Sequence, residues 1–229
     1  MQKLIVQQVS IDYYGFFASP AFSLLGEMRQ IIEGLSNAFA SHNIGLGNFR
    51  LDGDNTEPST ATITVRLGPY GVYRLKFDQV QASLGPFTDE ELEGFVSVIE
   101  KGNQWVRATV QNFRFKTHVF SYASHCTVGG ETSSTFLLSL PRRLTPVPGE
   151  DLGSGVLETW YDPEMHARVR FMLDHSLQVN DGLYVSYMVV FERDEIDYAE
   201  AAHQARIVLD SYLERLGLQF SEDIEEAGS

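Results

Sequence analysis

The chain has 229 residues, of which 43% are apolar and 12% aromatic, and these values are typical of a folded protein rather than a disordered one. Its formal net charge of −14 argues against a general affinity for nucleic acid or anionic lipid, because both require a basic surface. The single cysteine excludes an intramolecular disulfide and a four-cysteine zinc module, so we expect a reducing, cytoplasmic environment.

The N-terminal sequence MQKLIVQQVSIDYYG contains glutamines and an aspartate where a signal peptide requires an unbroken apolar run. No stretch approaches the roughly 18 apolar residues of a membrane-spanning helix. We therefore expect a protein that is neither exported nor bound to membranes.

A strand and a helix are predicted at the start of the chain. Apolar and polar residues alternate from Ile5 to Tyr13, which predicts the first strand. Pro20 follows a serine that can cap a helix, and apolar residues continue at helical spacing as far as Phe39. These features predict a helix over residues 20–41.

A hairpin and a second helix are predicted next. Residues 60–67, TATITVRL, alternate without a fault, and residues 73–77 continue the pattern after the turn GPYG. This pattern predicts a hairpin with one solvated face. Thr88 and Glu91 form a capping box that begins a helix, and Gly102 is the predicted end of that helix.

A long extended segment is predicted over residues 105–122. Phe115 alternates with Lys116, and His118 shares the polar face with Lys116. The pattern changes after Val119, where a β-bulge or a strand end is expected.

Three strands and a long helix are predicted in the remainder of the chain, over residues 156–161, 167–175, 183–191 and 193–217. The third of these strands is apolar on both faces, so we expect it in the centre of its sheet. The segment of residues 141–155 is rich in proline and glycine and is the best candidate for an internal boundary. It divides the chain into residues 1–140 and residues 141–229, which we expect to pack together as one globular unit.

The predicted fold class is α+β, with a mainly antiparallel sheet and about three helices. Two layouts fit the element order. The N-terminal half has the order of a ferredoxin-like domain. Alternatively, a hairpin followed by a helix occurs twice, around residues 60–102 and 166–217, and this duplicated layout is similar to the sheet-and-long-helix plan of SecB-like chaperones.

The stretch HVFSYASHCTVGGE contains the residues most suggestive of chemistry, His118, His125 and Cys126. A zinc site needs converging donors, whereas adjacent side chains on a strand point to opposite faces. A cysteine nucleophile would need a base and an orienting group from elsewhere in the fold. We expect instead the end of a strand, with a small buried cysteine and two partly exposed histidines.

Nucleotide and hydrolase motifs are absent from the sequence. It contains no G-x-x-x-x-G-K-[ST], no G-x-S-x-G and no H-E-x-x-H, and its acidic clusters begin helices, where the helix dipole explains them. We therefore expect no cofactor, no metal and no catalytic residues.

Basic residues are concentrated on the predicted strands, whereas acidic residues gather on helices and loops. If the strands were neighbours, one sheet face would carry a basic stripe, unless these residues only pair across strands with Asp78, Glu158 and Asp174. We expect aromatic contacts on that face from Phe120 and Tyr122, with Tyr184 and Tyr187 as further candidates. The predicted binding residues are Arg66, Arg74, Lys76, Arg114, Lys116, Arg168, Arg170, Phe120 and Tyr122.

Three functional hypotheses remain open. The first is a non-enzymatic adaptor or chaperone-like protein that binds a protein partner through an exposed sheet face and self-associates. The second is a nucleic-acid or nucleotide-binding protein that uses the same face, although the recognised ribonucleoprotein motifs are absent. The third is an enzyme centred on His118, His125 and Cys126.

Overall fold

Ten strands form one sheet in the computed structural model, which describes residues 1–25, 28–53, 60–140 and 155–221. Most of these strands alternate apolar and polar side chains, so each has one face suited to a core. The strands are β1 Gln2–Phe17, β2 Phe49–Asp52, β3 Thr62–Arg66, β4 Gly71–Leu75, β5 Gln79–Leu84, β6 Phe115–Val128, β7 Val156–Asp162, β8 Ala167–His175, β9 Leu183–Phe191 and β10 Leu218–Phe220.

The strand order is β2-β3-β4-β5-β1-β6-β9-β8-β7, and β10 pairs with β1 outside this path. Strands β2 to β5 form an antiparallel meander, β5 pairs antiparallel with β1, and β7 pairs antiparallel with β8. The β1–β10 pair is parallel. Strand β9 lies between β6 and β8, as its apolar residues on both faces predicted.

Four α-helices accompany the sheet in the described residues: α1 Met28–Ala38, α2 Asp89–Thr109, α3 Ser133–Ser139 and α4 Tyr198–Arg215. The predicted α+β class with a mainly antiparallel sheet is confirmed, with one α-helix more than expected. None of the helices in these residues combines the length and apolar character needed to cross a membrane.

The element order repeats between the two halves of the chain. Strand β1, helix α1, the meander β2 to β5 and helix α2 are followed by β6, α3, the strands β7 to β9 and α4. In each half, the last strand before the second helix neighbours the first strand, so that β5 lies beside β1 and β9 beside β6. This order agrees with the duplicated layout. The ferredoxin-like layout is wrong, because four strands separate α1 from α2 in the described residues, rather than two.

The chain forms two compact units. Unit 1 comprises Met1–Val9, Ser121–Val189 and Gln204–Ser229, and unit 2 comprises Ser10–Phe120 and Val190–His203. The predicted boundary segment, apart from Gly155, lies outside the described residues, so the division at residue 140 stays a prediction.

In unit 2, helices α1 and α2 cover one face of the sheet. The ring of Phe39, which follows α1, meets the ring of Tyr73 on β4 edge-on at 5.3 Å. Asn103 on α2 donates from Nδ2 to the Tyr13 hydroxyl on β1 at 2.7 Å. Gly102 packs against Tyr73, and a Cβ at this position would lie 2.5 Å from the Tyr73 hydroxyl oxygen. We call the opposite face of these strands the open face.

In unit 1, aromatic side chains form part of the core. Trp160 on β7 stacks on Tyr212 of α4 with ring centroids 4.3 Å apart, and Phe171 on β8 lies 5.6 Å from the same tyrosine ring. Val169 and Cys126 are buried in the same unit. The alternation on β8 therefore places its apolar residues in the core and leaves the residues between them on the other face.

Several predicted element bounds are wrong. The helix predicted over residues 20–41 consists of a 3₁₀ turn at Phe22–Leu25, then α1, then a second 3₁₀ turn at Ala40–His42. Helix α2 begins at the predicted capping box but continues to Thr109 and includes Gly102, which was expected to end it. Strands β5 and β10 and helix α3 were not predicted.

Candidate binding surface on the open face of the sheet

Three cross-strand rows of side chains lie on the open face of unit 2. Val65, Tyr73 and Tyr13 are buried against the helices, so the residues next to them along each strand point to the open face. From β3 towards β1, the central row is Thr64, Arg74, Gln81 and Tyr14, one flanking row is Arg66, Val72, Ser83 and Asp12, and the other is Lys76, Gln79 and Phe16.

Lys116 on β6 adds a further basic side chain to the open face. The preceding residue, Phe115, lies on the helix side, where the guanidinium of Arg107 is 5.0 Å from its ring centroid. Lys116 therefore points to the open face, and it is exposed. The Ala18 N–H donates to the Arg114 carbonyl at 3.0 Å, which holds the beginning of β6 beside the end of β1.

Four basic side chains on this face have no ion-pair partner among the described residues. Ion pairs within 4.0 Å among the described residues include Arg29 with Glu33, Arg50 with Asp52 and Arg107 with Asp194. The four side chains outside these pairs are Arg66, Arg74, Lys76 and Lys116, which we call the basic cluster. The alternative in which these residues pair across strands, for example with Asp78, is therefore not supported for the basic cluster.

Two aromatic side chains, Tyr14 and Phe16, occupy the open face of β1 beside the basic cluster. Their rings are nearly parallel, with an interplanar angle of 10° and centroids 6.3 Å apart. Phe16 is 39% exposed and Tyr14 is half-buried. Burial and the Asp12 carboxylate raise the pKa of Tyr14, while the positive charge of Arg74 opposes that shift. Both rings are therefore at least partly accessible from solvent, and Tyr14 lies near the cation of Arg74.

Three of the four aromatic residues predicted for the binding face are buried, whereas Tyr184 is half-buried in unit 1. Phe120 in unit 2 is fully buried, and its ring packs against Tyr13 at 5.1 Å. Tyr122 and Tyr187 in unit 1 are also buried. Phe120 and Tyr122 are buried because the alternation along β6 shifts earlier than predicted. Phe115 and His118 both lie on the helix side of β6, so the shift falls between these two residues and not after Val119.

Two of the predicted basic residues belong to unit 1. Arg168 and Arg170 are exposed on β8, on the face opposite the buried Val169. They stand across from Tyr161 and Thr159 of β7, respectively. Arg114, by contrast, is exposed in unit 2 directly before β6.

His118 was expected to be partly exposed and is fully buried in unit 2. Its Nε2 lies 2.9 Å from the Asp194 carbonyl oxygen, which can only accept, so Nε2 carries the proton. Nδ1 therefore accepts from the Tyr13 hydroxyl at 2.8 Å. Burial lowers the pKa of His118 to about 4, so the ring is neutral at pH 7.

Further hydrogen bonds connect this buried histidine to α2 and to the segment before α4. Asn103 donates to the hydroxyls of Tyr13 and Tyr198, at 2.7 and 3.0 Å. Asp194 pairs with Arg107 at 2.8 Å and accepts from the Phe115 N–H at 2.7 Å. Arg107, predicted to lie on a strand, is on α2. Because these groups are largely buried and bonded to one another, their evident role is to hold the core of unit 2 together.

Cys126 and His125 lie in unit 1 on opposite faces of β6. Cys126 is fully buried, as expected, and burial raises the pKa of its thiol to about 12. His125 is partly exposed, as expected, and its Nδ1 lies 2.8 Å from Ser176 Oγ. The thiol is therefore protonated at neutral pH, and the two adjacent side chains diverge.

A cleft of about 330 Å³ lies in unit 2 between the residues after α1, the β3–β4 turn and the first half of α2. His42 lines this cleft, with Nε2 at 3.1 Å from Ser97 Oγ and 3.2 Å from Lys101 Nζ. Burial and the Lys101 charge lower the pKa of His42. This cluster therefore ties the second 3₁₀ turn to α2.

No group of three or more histidine, cysteine or acidic side chains arranged to hold a metal ion occurs in the described part of the chain. Comparison with known protein families finds no family model that matches the sequence, and comparison with curated proteins finds no significant match.

Proposed function

We propose that this protein is a non-enzymatic binding protein that holds an extended, negatively charged macromolecule on the open face of unit 2. The observation that carries the proposal is the basic cluster, in which four cations share a sheet face without an ion-pair partner in the described residues. On a chain with a net charge of −14, this local concentration of positive charge favours an anionic partner.

The shape of the face supports an extended partner. The central row crosses four strands, from Thr64 to Tyr14, which is about 14 Å at the usual spacing of strands in a sheet. Between Arg74 and Tyr14 this row carries the polar side chain of Gln81. Such a surface suits a chain that lies across the strands better than a small molecule, which requires a concave pocket.

Thiol chemistry is not supported as an alternative function. The raised pKa of Cys126 leaves little thiolate at neutral pH, and His118 lies in unit 2 with both ring nitrogens engaged. We therefore keep the binding function as the proposal and the enzyme as the less favoured hypothesis.

The proposal extends to assembly and compartment. The acidic N-terminal turns of α2, which include Asp89 and Glu91, offer a negative surface on each copy that could engage the basic cluster of another copy. A cytoplasmic location agrees with a chain that has a single cysteine, Cys126, and therefore no intramolecular disulfide. Analytical ultracentrifugation at low and high salt tests the self-association.

The test of the proposed function is binding to three polyanions, polyglutamate, heparin and oligo(dT), measured by fluorescence anisotropy at about 50 mM salt. We expect at least one to bind, and Arg66→Glu/Arg74→Glu to weaken that affinity about tenfold or more through lost charge pairing. The matched control is Arg29→Glu/Arg215→Glu, which changes the net charge equally on exposed helix positions.

Equal weakening by the control pair would mean that overall charge, not the open face, determines binding. Failure of all three polyanions to bind would also contradict the proposal.

A further inference from the structure

We infer that the anionic chain held on the open face is single-stranded nucleic acid, bound without sequence specificity. This inference rests on the proposed function and adds the chemical class of the partner. It depends on the combination of the basic cluster with the aromatic pair Tyr14 and Phe16, which charge alone does not require.

The aromatic pair lies where bases can stack. Tyr14 and Phe16 stand two residues apart on β1, on the same face, with parallel rings 6.3 Å apart. Aromatic side chains on a sheet face bind unpaired bases by stacking, whatever the identity of the base. The exposed ring of Phe16 and the half-buried ring of Tyr14 therefore offer two adjacent stacking positions.

Side chains of the basic cluster lie on both sides of the aromatic pair, where they can contact the phosphates of a bound strand. Arg74 lies in the same row as Tyr14, separated from it by Gln81, and Lys76 lies in the same row as Phe16, separated by Gln79. Lys116 is on β6, the strand on the other side of β1. The rings therefore have positive side chains on both flanks, so a backbone passing beside stacked bases meets cations on either side.

Duplex nucleic acid fits this surface less well. In a duplex the base faces stack on one another, so rings that project from a sheet can reach them only in an unpaired strand. In the described residues, Tyr14 and Arg74 extend from strands in the middle of the sheet, and neither lies on a helix or β-ribbon that could enter a groove.

An acidic polypeptide would use only part of the site. Carboxylates can pair with Arg66, Arg74 and the lysines, but they gain nothing from the parallel rings. A polypeptide would therefore depend on charge, whereas a single-stranded nucleic acid would depend on charge and on the aromatic character of both rings. This difference can be measured.

The experiment compares fluorescein-labelled dT₁₂ with fluorescein-labelled polyglutamate of twelve residues and with a 12-base-pair duplex, using the whole protein. The variants are Tyr14→Leu/Phe16→Leu, which keeps apolar volume and removes the rings, and Arg66→Glu/Arg74→Glu. The control is Tyr161→Leu, which removes a ring that is 58% exposed on β7.

We expect dT₁₂ to bind more tightly than the duplex, and the Tyr14→Leu/Phe16→Leu variant to lose about tenfold or more of its dT₁₂ affinity. The Tyr161→Leu control should keep the wild-type affinity. With four cations in contact, the slope of log affinity against log salt for dT₁₂ should be about −3. A dU₁₂ and a dA₁₂ strand should bind with similar affinity, because stacking does not read the base identity.

Two results would overturn the inference. In the first, dT₁₂ does not bind, whereas polyglutamate binds to the wild type and to Tyr14→Leu/Phe16→Leu but not to Arg66→Glu/Arg74→Glu. The proposed function then stands, and the nucleic-acid partner is wrong. If dT₁₂ binds equally well to Tyr14→Leu/Phe16→Leu, the rings are not stacking positions. Absence of binding by every polyanion would defeat the proposed function itself.

Discussion

Tyr13 and Tyr14 are adjacent on β1 and have opposite surroundings. Tyr13 is fully buried, donates to His118 and accepts from Asn103. Tyr14 is half-buried on the open face, between Phe16 along its strand and the cation of Arg74 across the sheet. The hydroxyl of Tyr13 is therefore engaged within the core, whereas the ring of Tyr14 remains available to a partner.

The largest expected difference between the two faces is in stability. Phe120→Ala removes a fully buried ring that packs on Tyr13, so the free energy of unfolding should fall by about 3–5 kcal/mol. Phe16→Ala removes an exposed ring from the open face and should change it by about 0.5 kcal/mol or less. Urea denaturation followed by circular dichroism measures both values. Equal losses from the two variants would mean that the open face is also part of a core.

The second prediction concerns pH. The pKa of His118 is about 4 in the folded protein and about 6.5 in the unfolded chain, so the unfolded state binds more protons between these values. Stability should therefore fall as the pH is lowered from about 6.5 to about 4, and His118 should account for about 3 kcal/mol of that loss.

The comparison of wild type with His118→Gln isolates this contribution from that of the carboxylates. The variant should be less stable at pH 7, and its stability should fall less between pH 6.5 and pH 4. His203→Gln, a change at an exposed position on α4, should keep the wild-type dependence. An unchanged pH dependence in His118→Gln would show that His118 is not held neutral by the core.

The smallest effect is expected from removing a single hydroxyl. Tyr13→Phe leaves His118 Nδ1 without its donor and Asn103 without one acceptor, which should cost about 1–3 kcal/mol of unfolding free energy. Tyr14→Phe removes a hydroxyl near solvent and should cost about 0.5 kcal/mol or less. Chemical denaturation of the two variants under one condition gives the difference. A larger loss in Tyr14→Phe would contradict the assignment of the two faces.

Much of the sheet could be predicted because it depends on local alternation. The pattern of Ile63 and Val65 identified the buried side of β3, and the capping box at Thr88 located the start of α2. The aromatic pair was also visible in the sequence IDYYGFF, where Tyr14 and Phe16 alternate with the buried Tyr13, but the prediction placed the aromatic contacts on β6 instead.

The incorrect predictions concern residues whose surroundings are formed by parts of the chain that are distant in sequence. Gly102 resembles a helix end, yet it lies within α2, where the absence of a side chain leaves room for the Tyr73 hydroxyl. His118 resembles an exposed strand residue, yet its partners Tyr13 and Asp194 are 105 and 76 residues away in sequence. No pattern within β6 indicates those partners, so neither the burial of His118 nor that of Phe120 could be predicted locally.

The most direct test of the binding surface is hydroxyl-radical footprinting with mass spectrometry, because it reports the accessibility of individual side chains. The measurement compares the free protein with the protein saturated with dT₁₂, or with polyglutamate if that probe binds instead. Protection of Tyr14 and Phe16 is expected, whereas Tyr161 and Phe22, which are 58% and 66% exposed, should be oxidised equally in both samples. Unchanged oxidation of Tyr14 and Phe16 in the saturated complex would contradict the open face as the binding surface.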